Sequence, residues 1–446
     1  MSRHFAVFEV VFNMTDLPRP PLAPRSFLLL QGPHGPFFAK LGAQLRAAGC
    51  AVWRVGFNRG DQVFWPEKSS YIAWTGTPED WPAEFSRLIK DRQITDLVLY
   101  GDTRPIHARA IEIARAAGLR IHIFEEGYLR PYWVTYERGG SNGNSRLMDL
   151  TLEEMRRALT RGEDEVPEVP AVWGDLRQHI FYGAAYHFFV MALNGRYRNF
   201  RPHRSITVLQ EFRLYLKRLL LMPLHRLRRW QAEQAIARGG FPYHLVLLQL
   251  EHDSSFQMHS PFTSMPEFIT LVLEGFAQGA PLHHHLVFKA HPLEDGRAGI
   301  EAAITRESAR LGLSERVHYV GGGKLARLLN HARTAVTVNS TAAQQALWRG
   351  MPLKAFGRAV YQQPEFLSDQ PLPEFFRAPR RPDLKAYRDY RRFLLETSQL
   401  VGGYYSSRGR RALLRQVVDL MLAPEDPYSA LLSGCAAPRQ QLRLII

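Results

Sequence analysis

Cysteine is nearly missing from this chain. Cys50 and Cys435 are the only two in 446 residues, which excludes a disulfide framework and a cysteine-ligated zinc cage and fits a reducing compartment. Long apolar runs are missing too. No stretch approaches the roughly 20 residues that a membrane-spanning helix needs, and the best candidate, 214–224, is short and interrupted by Lys217 and Arg218. The first residues carry no export signal, because Glu9 breaks their apolar character and no small-residue cleavage site follows. Neither a Walker-type loop nor a Gly-x-Gly-x-x-Gly turn stands where a nucleotide would need one. Acidic residues are in deficit, 42 against 57 Lys and Arg, for a net charge of +15. That balance attracts anionic partners such as acidic lipid or phosphorylated substrates. Nucleic acid would suit the charge, but no nucleic-acid motif accompanies it. The expectation is a soluble or peripheral protein.

What is present is an α/β rhythm. Apolar runs at 26–31, 51–57, 96–100 and 119–124 read as strands, and 37–48, 81–90 and 105–117 as helices between them. Gly49 sits where a helix C′ residue belongs. The rhythm resumes after Gly239-Gly240, with strands at 243–250, 286–289, 317–320, 334–338 and 353–356. Helices are expected at 266–278, 301–311, 324–332 and 341–349. Between these halves, 151–237 reads as helical and aromatic-rich, and 385–422 as a helical tail. The predicted organisation is an N-terminal Rossmann-like domain (1–150), a basic helical linker (151–240), a second Rossmann-like domain (241–384) and a helical tail (385–446). Two such domains facing a central cleft form a GT-B-like architecture.

In open α/β sheets, ligands bind beyond the carboxyl ends of the strands, so the strand mouths are where chemistry belongs. The strand 119–124 runs into Glu125-Glu126-Gly127-Tyr128-Leu129-Arg130-Pro131. Paired carboxylates there are candidates for nucleophile, base or acid; an acidic loop paired with Arg130 is the simpler alternative. Strand alternation predicts that one of the two enters the cleft. The second half offers Lys289-Ala-His291-Pro292, where an imidazole can donate to a phosphate or leaving oxygen. It also offers Asn339-Ser340-Thr341, where Ser340 is a candidate N-cap beside an anion site. Gln249, Glu251, His252, Asp253, Ser254, Ser255 and His259 form a further polar cluster on this rim. The run His283-His284-His285 reads as a surface approach to a strand, and no metal is expected. In the linker, Arg196, Arg198, Arg201, Arg204, Arg213, Lys217, Arg218, Arg226, Arg228 and Arg229 are interleaved with Tyr197, Phe200, Phe212, Leu214, Tyr215, Leu219 and Trp230. That pattern suits an interfacial element on anionic lipid, or a solvated basic face over a buried stripe.

Five segments together resemble the capsule polysaccharide synthesis family, in its KpsS/LipB type. They are Leu30-Gln31-Gly32-Pro33-His34-Gly35-Pro36-Phe37-Phe38, Tyr100-Gly101-Asp102-Thr103-Arg104-Pro105, Phe124 to Pro131, Lys289 to Pro292 and Val338 to Thr341. The resemblance runs from about 27 to 361. It implies a retaining β-Kdo transferase that uses CMP-Kdo to start a poly-Kdo linker on a phosphatidylglycerol-type lipid, at the inner face of the cytoplasmic membrane. No cofactor is implied, and a KpsC-like transferase and capsule export machinery are implied partners. Glu126 matches a catalytic aspartate of the related motif, with Glu125 and Arg130 beside it. Gln31, Gly32, Pro33, Asp102, Arg104, Asp253, Ser254, Lys289, His291, Pro292, Asn339, Ser340 and Thr341 are the implied substrate-binding set. A non-catalytic export factor and a transferase for another nucleotide sugar are the alternatives.

Overall fold

The computed structural model describes residues 25–159, 176–200, 210, 213, 214, 217 and 220–435, without the side chains of Leu176 and Ser254. Of the basic linker, Arg201, Arg204, Phe212, Tyr215, Arg218 and Leu219 lie outside the described residues. Two sheets organise the rest. The first contains β1 (Ser26–Leu29), β2 (Ala51–Gly56), β3 (Tyr71–Ala73), β4 (Asp96–Tyr100), β5 (Arg120–Glu126), β6 (Trp133–Arg138) and β12 (Gln399–Val401), in the order β12-β6-β5-β4-β1-β2-β3. Its first five strands are parallel, whereas β6 runs antiparallel between β5 and the edge strand β12. The second sheet is wholly parallel, with β7 (Tyr243–Leu247), β8 (His285–Lys289), β9 (Val317–Val320), β10 (Ala332–Thr337) and β11 (Leu353–Ala355) in the order β11-β10-β7-β8-β9. Both parallel portions share one doubly wound strand order, reversing between β1 and β4 and between β7 and β10. Those reversals are where such sheets open a ligand crevice. The fold is thus the expected α/β, GT-B-like pair of Rossmann-like units.

The reasons lie in local sequence. β1 (Ser-Phe-Leu-Leu) and β7 (Tyr-His-Leu-Val-Leu) are buried throughout, as central parallel strands covered on both faces must be. The helix Phe37–Ala47 buries Phe37, Phe38, Leu41 and Leu45, three or four residues apart, and Gly49 ends it at φ +85°. The tail is not purely helical. Gln399–Val401 pairs with β6 as an edge strand, and the helix Ser407–Leu422 then packs Leu413, Leu414 and Val417 on the first sheet's core. Three residues are too few to show strand alternation, so this return was invisible in sequence. The helix Leu152–Leu159 packs with Tyr128, Trp133 and the second sheet in one continuous core, so packing crosses the boundary expected at 150.

Glu137 is buried inside this joint. Tyr128 Oη donates to it at 3.1 Å and Ser145 Oγ at 2.8 Å, and Tyr428 Oη adds a third bond. Burial pushes its carboxyl up to about 8 despite these donors. The folded state therefore holds a proton that the unfolded chain has released. The stability that Glu137 contributes is greatest below the ordinary value of 4.5 and is lost as pH rises through about 8, by up to about 1.4 kcal/mol per unit. Glu137→Gln, which is neutral at every pH, should flatten that decline in thermal melts followed across the window. An unchanged pH slope would show that Glu137 is ionised in the folded protein.

Candidate functional site

A cavity of about 490 Å³ opens between the two sheets, a volume ordinary for a small-molecule site. The first half contributes Glu125, Glu126, Leu129 and Arg130 to its wall, and the second contributes Asp253, Lys289, His291, Ser340 and Thr341. Segments more than a hundred residues apart therefore meet in one place.

The acidic side is built at the tip of β5. Strand pairing to β6 ends at Glu126↔Val134, and Gly127 turns the chain back. A Cβ at Gly127 would lie 2.2 Å from the Trp133 carbonyl oxygen, so only glycine fits. The turn is braced from elsewhere. Gln399 Oε1 accepts from Tyr128 N at 2.9 Å, and Gln344 Nε2 donates to the Tyr128 carbonyl at 3.1 Å.

Alternation predicted one carboxylate in the cleft; both line it. The cavity wraps the end of the strand, so both faces of its tip are reached. They still differ in surroundings. Glu126 Oε1 accepts from Tyr100 Oη at 3.1 Å, on the side of Tyr404 and Tyr405. Glu125 Oε1 accepts from Glu126 N at 2.9 Å and faces Asp102 and Asp253. Burial, reinforced by the negative charges of Glu126, Asp253 and Asp102, raises the Glu125 carboxyl to about 7 although that backbone bond opposes the rise. Arg130 lies exposed on the rim and donates from Nε to the Gly127 carbonyl at 3.2 Å.

The opposite wall is cationic and polar. Lys289 is only 5% exposed, and Nζ donates to the Ala290 carbonyl at 2.9 Å. Burial lowers it to about 8; Glu233 opposes the change and Arg229 adds to it. His291 Nδ1 accepts from Leu293 N at 3.1 Å, so the neutral ring carries its proton on Nε2, where it can be donated. Ser340 Oγ accepts from Ala342 N at 3.3 Å, the expected cap, although it opens a 3-10 turn that leads into the short helix Gln344–Trp348. Asn339 is engaged inside the protein: Oδ1 accepts from Gln249 Nε2 at 2.7 Å, and Nδ2 donates to the Ser255 carbonyl at 2.9 Å. It ties the ends of β7 and β10 together at their crevice and holds the adjoining Ser340 in place.

Five of the expected substrate residues lie outside the cavity wall. Gln31 is buried, donating to Asp61 Oδ2 and accepting from Arg104, each at 3.3 Å. Gly32 packs under Phe38, and Pro33 is buried. Asp102 Oδ2 accepts from Ser141 N at 2.9 Å and Asn144 Nδ2 at 3.2 Å, so it orders a loop. Pro292 and Asp253 are exposed members of the wall. Ser254 begins the helix Ser254–His259, and its side chain is not among those described.

Sequence reasoning passed over several residues. Gly321, Gly322 and Gly323 come directly after β9, and Gly323 lines the cavity with φ +88°. A Cβ there would fall 2.7 Å from Arg229 Cδ and from Glu233 Oε1. Three glycines after a strand are a readable signal. Gln344, Arg349, Tyr387 and Arg391 also line the wall and carried none. Arg229, expected with the lipid-facing arginines, packs on this loop instead. Of the histidine run only His283 is an exposed approach to the strand. His284 Nδ1 lies 3.0 Å from His244 Nε2, and His285 stacks on Phe241 at 3.7 Å, because alternation sends neighbours into opposite layers. Among the described residues no group of three or more His, Cys, Asp or Glu could hold a metal.

Known proteins resemble this chain over most of its length. The family described as capsule polysaccharide biosynthesis protein matches residues 95–405. The capsule polysaccharide export protein KpsS of Escherichia coli is 31% identical over 385 residues, 86% of this chain and 98% of that one. The capsule polysaccharide modification protein LipB of Neisseria meningitidis serogroup B is 32% identical over 391 residues, 85% and 92% of the two chains. Among solved structures, the β-Kdo 2,7 transferase of Thermosulfurimonas dismutans KpsC aligns over 89% of this chain and all of that one, at 12% identity and a TM-score of 0.44.

Proposed function

Because the chain belongs to the capsule polysaccharide biosynthesis family, we propose that it is a glycosyltransferase of capsule assembly. Its donor is CMP-Kdo and its acceptor a phosphatidylglycerol-type lipid at the inner membrane face. The observation that carries this reading is the cleft itself: two carboxylates at the tip of β5 stand across one cavity from Lys289, His291 and Ser340. A cationic, hydrogen-bonding wall suits the phosphate of a sugar nucleotide, and a carboxylate wall suits attack at an anomeric carbon. The first-sheet side is then the acceptor side and the second-sheet side the donor side.

Each group has a task its geometry permits. His291 Nε2–H donates to the departing phosphate, and Lys289 offsets its charge. Arg130, exposed at the rim, pairs with the sugar carboxylate. Glu126 attacks the anomeric carbon as the bond to CMP breaks, and the acceptor hydroxyl later displaces Glu126 with retention.

Incubation of the purified protein with CMP-Kdo and the lipid should release CMP and yield a new glycolipid by mass spectrometry. Binding without turnover would instead favour an export factor. His291→Ala should keep its melting temperature and lose about 10²-fold in turnover. Unchanged kinetics would remove His291 from the site.

A further inference from the structure

The helix Leu176–Ala192 is apolar all round, and so presents an apolar face outward as well as inward. Its inner side is tied to the first half of the protein by rings with polar atoms. Tyr186 stacks on His34 at 4.3 Å and accepts from Asn58 Nδ2 at 2.7 Å. Tyr182 covers Gly35. His179 stacks on Tyr405 at 3.9 Å, and Gln178 Oε1 accepts from Ser407 N at 3.0 Å. The outer side carries Phe181, 65% exposed, and Phe188, 55% exposed, with Ile180 and Met191 also exposed. Positions 181, 184, 188 and 191 recur every three or four residues, so they form one stripe along the helix. Single exposed apolar residues are ordinary; a continuous stripe with two phenylalanines marks a contact surface.

Charge indicates what covers it. From 176 to 210 the sequence contains no Asp or Glu and five arginines, and Arg196 and Arg198, just past the helix, are exposed. The first half of the helix Met222–Gly239 repeats the combination, with Leu224, Leu227 and Trp230 exposed beside exposed Arg226 and Arg228. A second copy would set arginine against arginine. An anionic bilayer satisfies both features, taking apolar side chains among its acyl chains and arginines among its headgroups. Among the described residues no helix is long and apolar enough to cross a membrane, so the contact lies in the interface plane.

We propose that the outward face of the helix Leu176–Ala192, led by Phe181 and Phe188, is a docking surface that inserts into the headgroup layer of an anionic phospholipid membrane. This deepens the proposed function and rests on its lipid acceptor. The inner face of the helix touches the β1 loop through His34 and Gly35, and also Tyr405, beside Glu126. Docking therefore brings the acceptor side of the cleft to the bilayer.

The test uses the full chain and vesicles of phosphatidylcholine with or without phosphatidylglycerol, read by co-sedimentation. The wild-type protein should bind the phosphatidylglycerol vesicles, more weakly as salt rises. Phe181→Ser/Phe188→Ser should bind at least tenfold less, Phe181→Leu/Phe188→Leu should bind nearly as well as wild type, and all three should share one circular dichroism spectrum. CMP release with detergent-dispersed acceptor should be equal in all three. Unchanged sedimentation of the serine pair, or a wild-type dimer in light scattering that the serine pair converts to monomer, would overturn the docking surface and leave the transferase reading standing. Phenylalanine-dependent binding without CMP release from any acceptor would uphold the docking surface and sink the transferase reading.

Discussion

Glu126→Gln should fold as the parent does and lose turnover by on the order of 10⁴-fold, the scale seen when a group acting directly on the reacting atoms is removed. The amide keeps the volume of the carboxylate and can still accept from Tyr100 Oη, which lies 3.1 Å from Oε1 in the parent. What it loses is nucleophilicity. In the first displacement of the proposed mechanism, a Glu126 oxygen bonds to the anomeric carbon as the carbon–oxygen bond to CMP breaks, and CMP leaves with the electron pair. In the second, the acceptor oxygen bonds to that carbon, the Glu126 bond breaks and the hydroxyl proton departs. Steady-state CMP release with donor and acceptor measures the loss directly. A fully active Glu126→Gln beside a dead Glu125→Gln would move the nucleophile to Glu125. Activity in both would turn attention to Asp253, which is exposed on the wall, before Asp102, whose Oδ2 is committed to Ser141 and Asn144.

Much of this site was legible because its parts stand at the ends of strands, and strands with apolar runs are legible. β5 and β8 announce themselves by Arg-Ile-His-Ile-Phe and His-Leu-Val-Phe, and the polar residues just beyond them must then lie at the cleft. Legibility failed where a residue's role depends on distant packing. Gln399 braces the Gly127 turn from a three-residue edge strand, and Gln344 does so from the other half; neither position carries a local pattern. Asn339 shows the converse. Its motif read as ligand-binding, and it does line the cavity, but its amide group is bonded to Gln249 and Ser255. Gln31 and Asp102 obey the same logic, since polar groups at a strand mouth can face either the cavity or each other. Strand alternation misled at Glu125 and Glu126 because it describes the body of a strand, and these residues are its tip.

Glu125→Gln should lose about 10² to 10⁴-fold in turnover, the usual contribution of a positioned proton acceptor, and it should fail at a different step from Glu126→Gln. The acceptor hydroxyl cannot displace the glycosylated Glu126 without giving up its proton, and the cleft needs a base for it. Glu125 occupies the other face of the same strand tip, with its carboxyl raised to about 7 by burial and by the neighbouring Glu126, Asp253 and Asp102 charges. An ordinary glutamate would be fully ionised at neutral pH but a poor base; one near 7 combines a substantial ionised fraction with greater basicity. The base form is the carboxylate, so the sign is fixed. Turnover should climb about tenfold per unit as pH rises toward about 7 and level off above it. Glu125→Gln should lack that limb. Because the second displacement alone is slowed, intact-protein mass spectra of Glu125→Gln with CMP-Kdo should show a sugar adduct on the enzyme, whereas Glu126→Gln should show none. A pH profile identical to the parent's, or an adduct absent from Glu125→Gln, would remove Glu125 from proton transfer. In the parent the charge balance helps the second displacement, so the adduct should accumulate only when Glu125 is replaced. Once Glu126 is esterified its negative charge is gone, one of the charges holding the Glu125 carboxyl up is lost, and the carboxylate form is favoured at the moment the acceptor hydroxyl must be deprotonated.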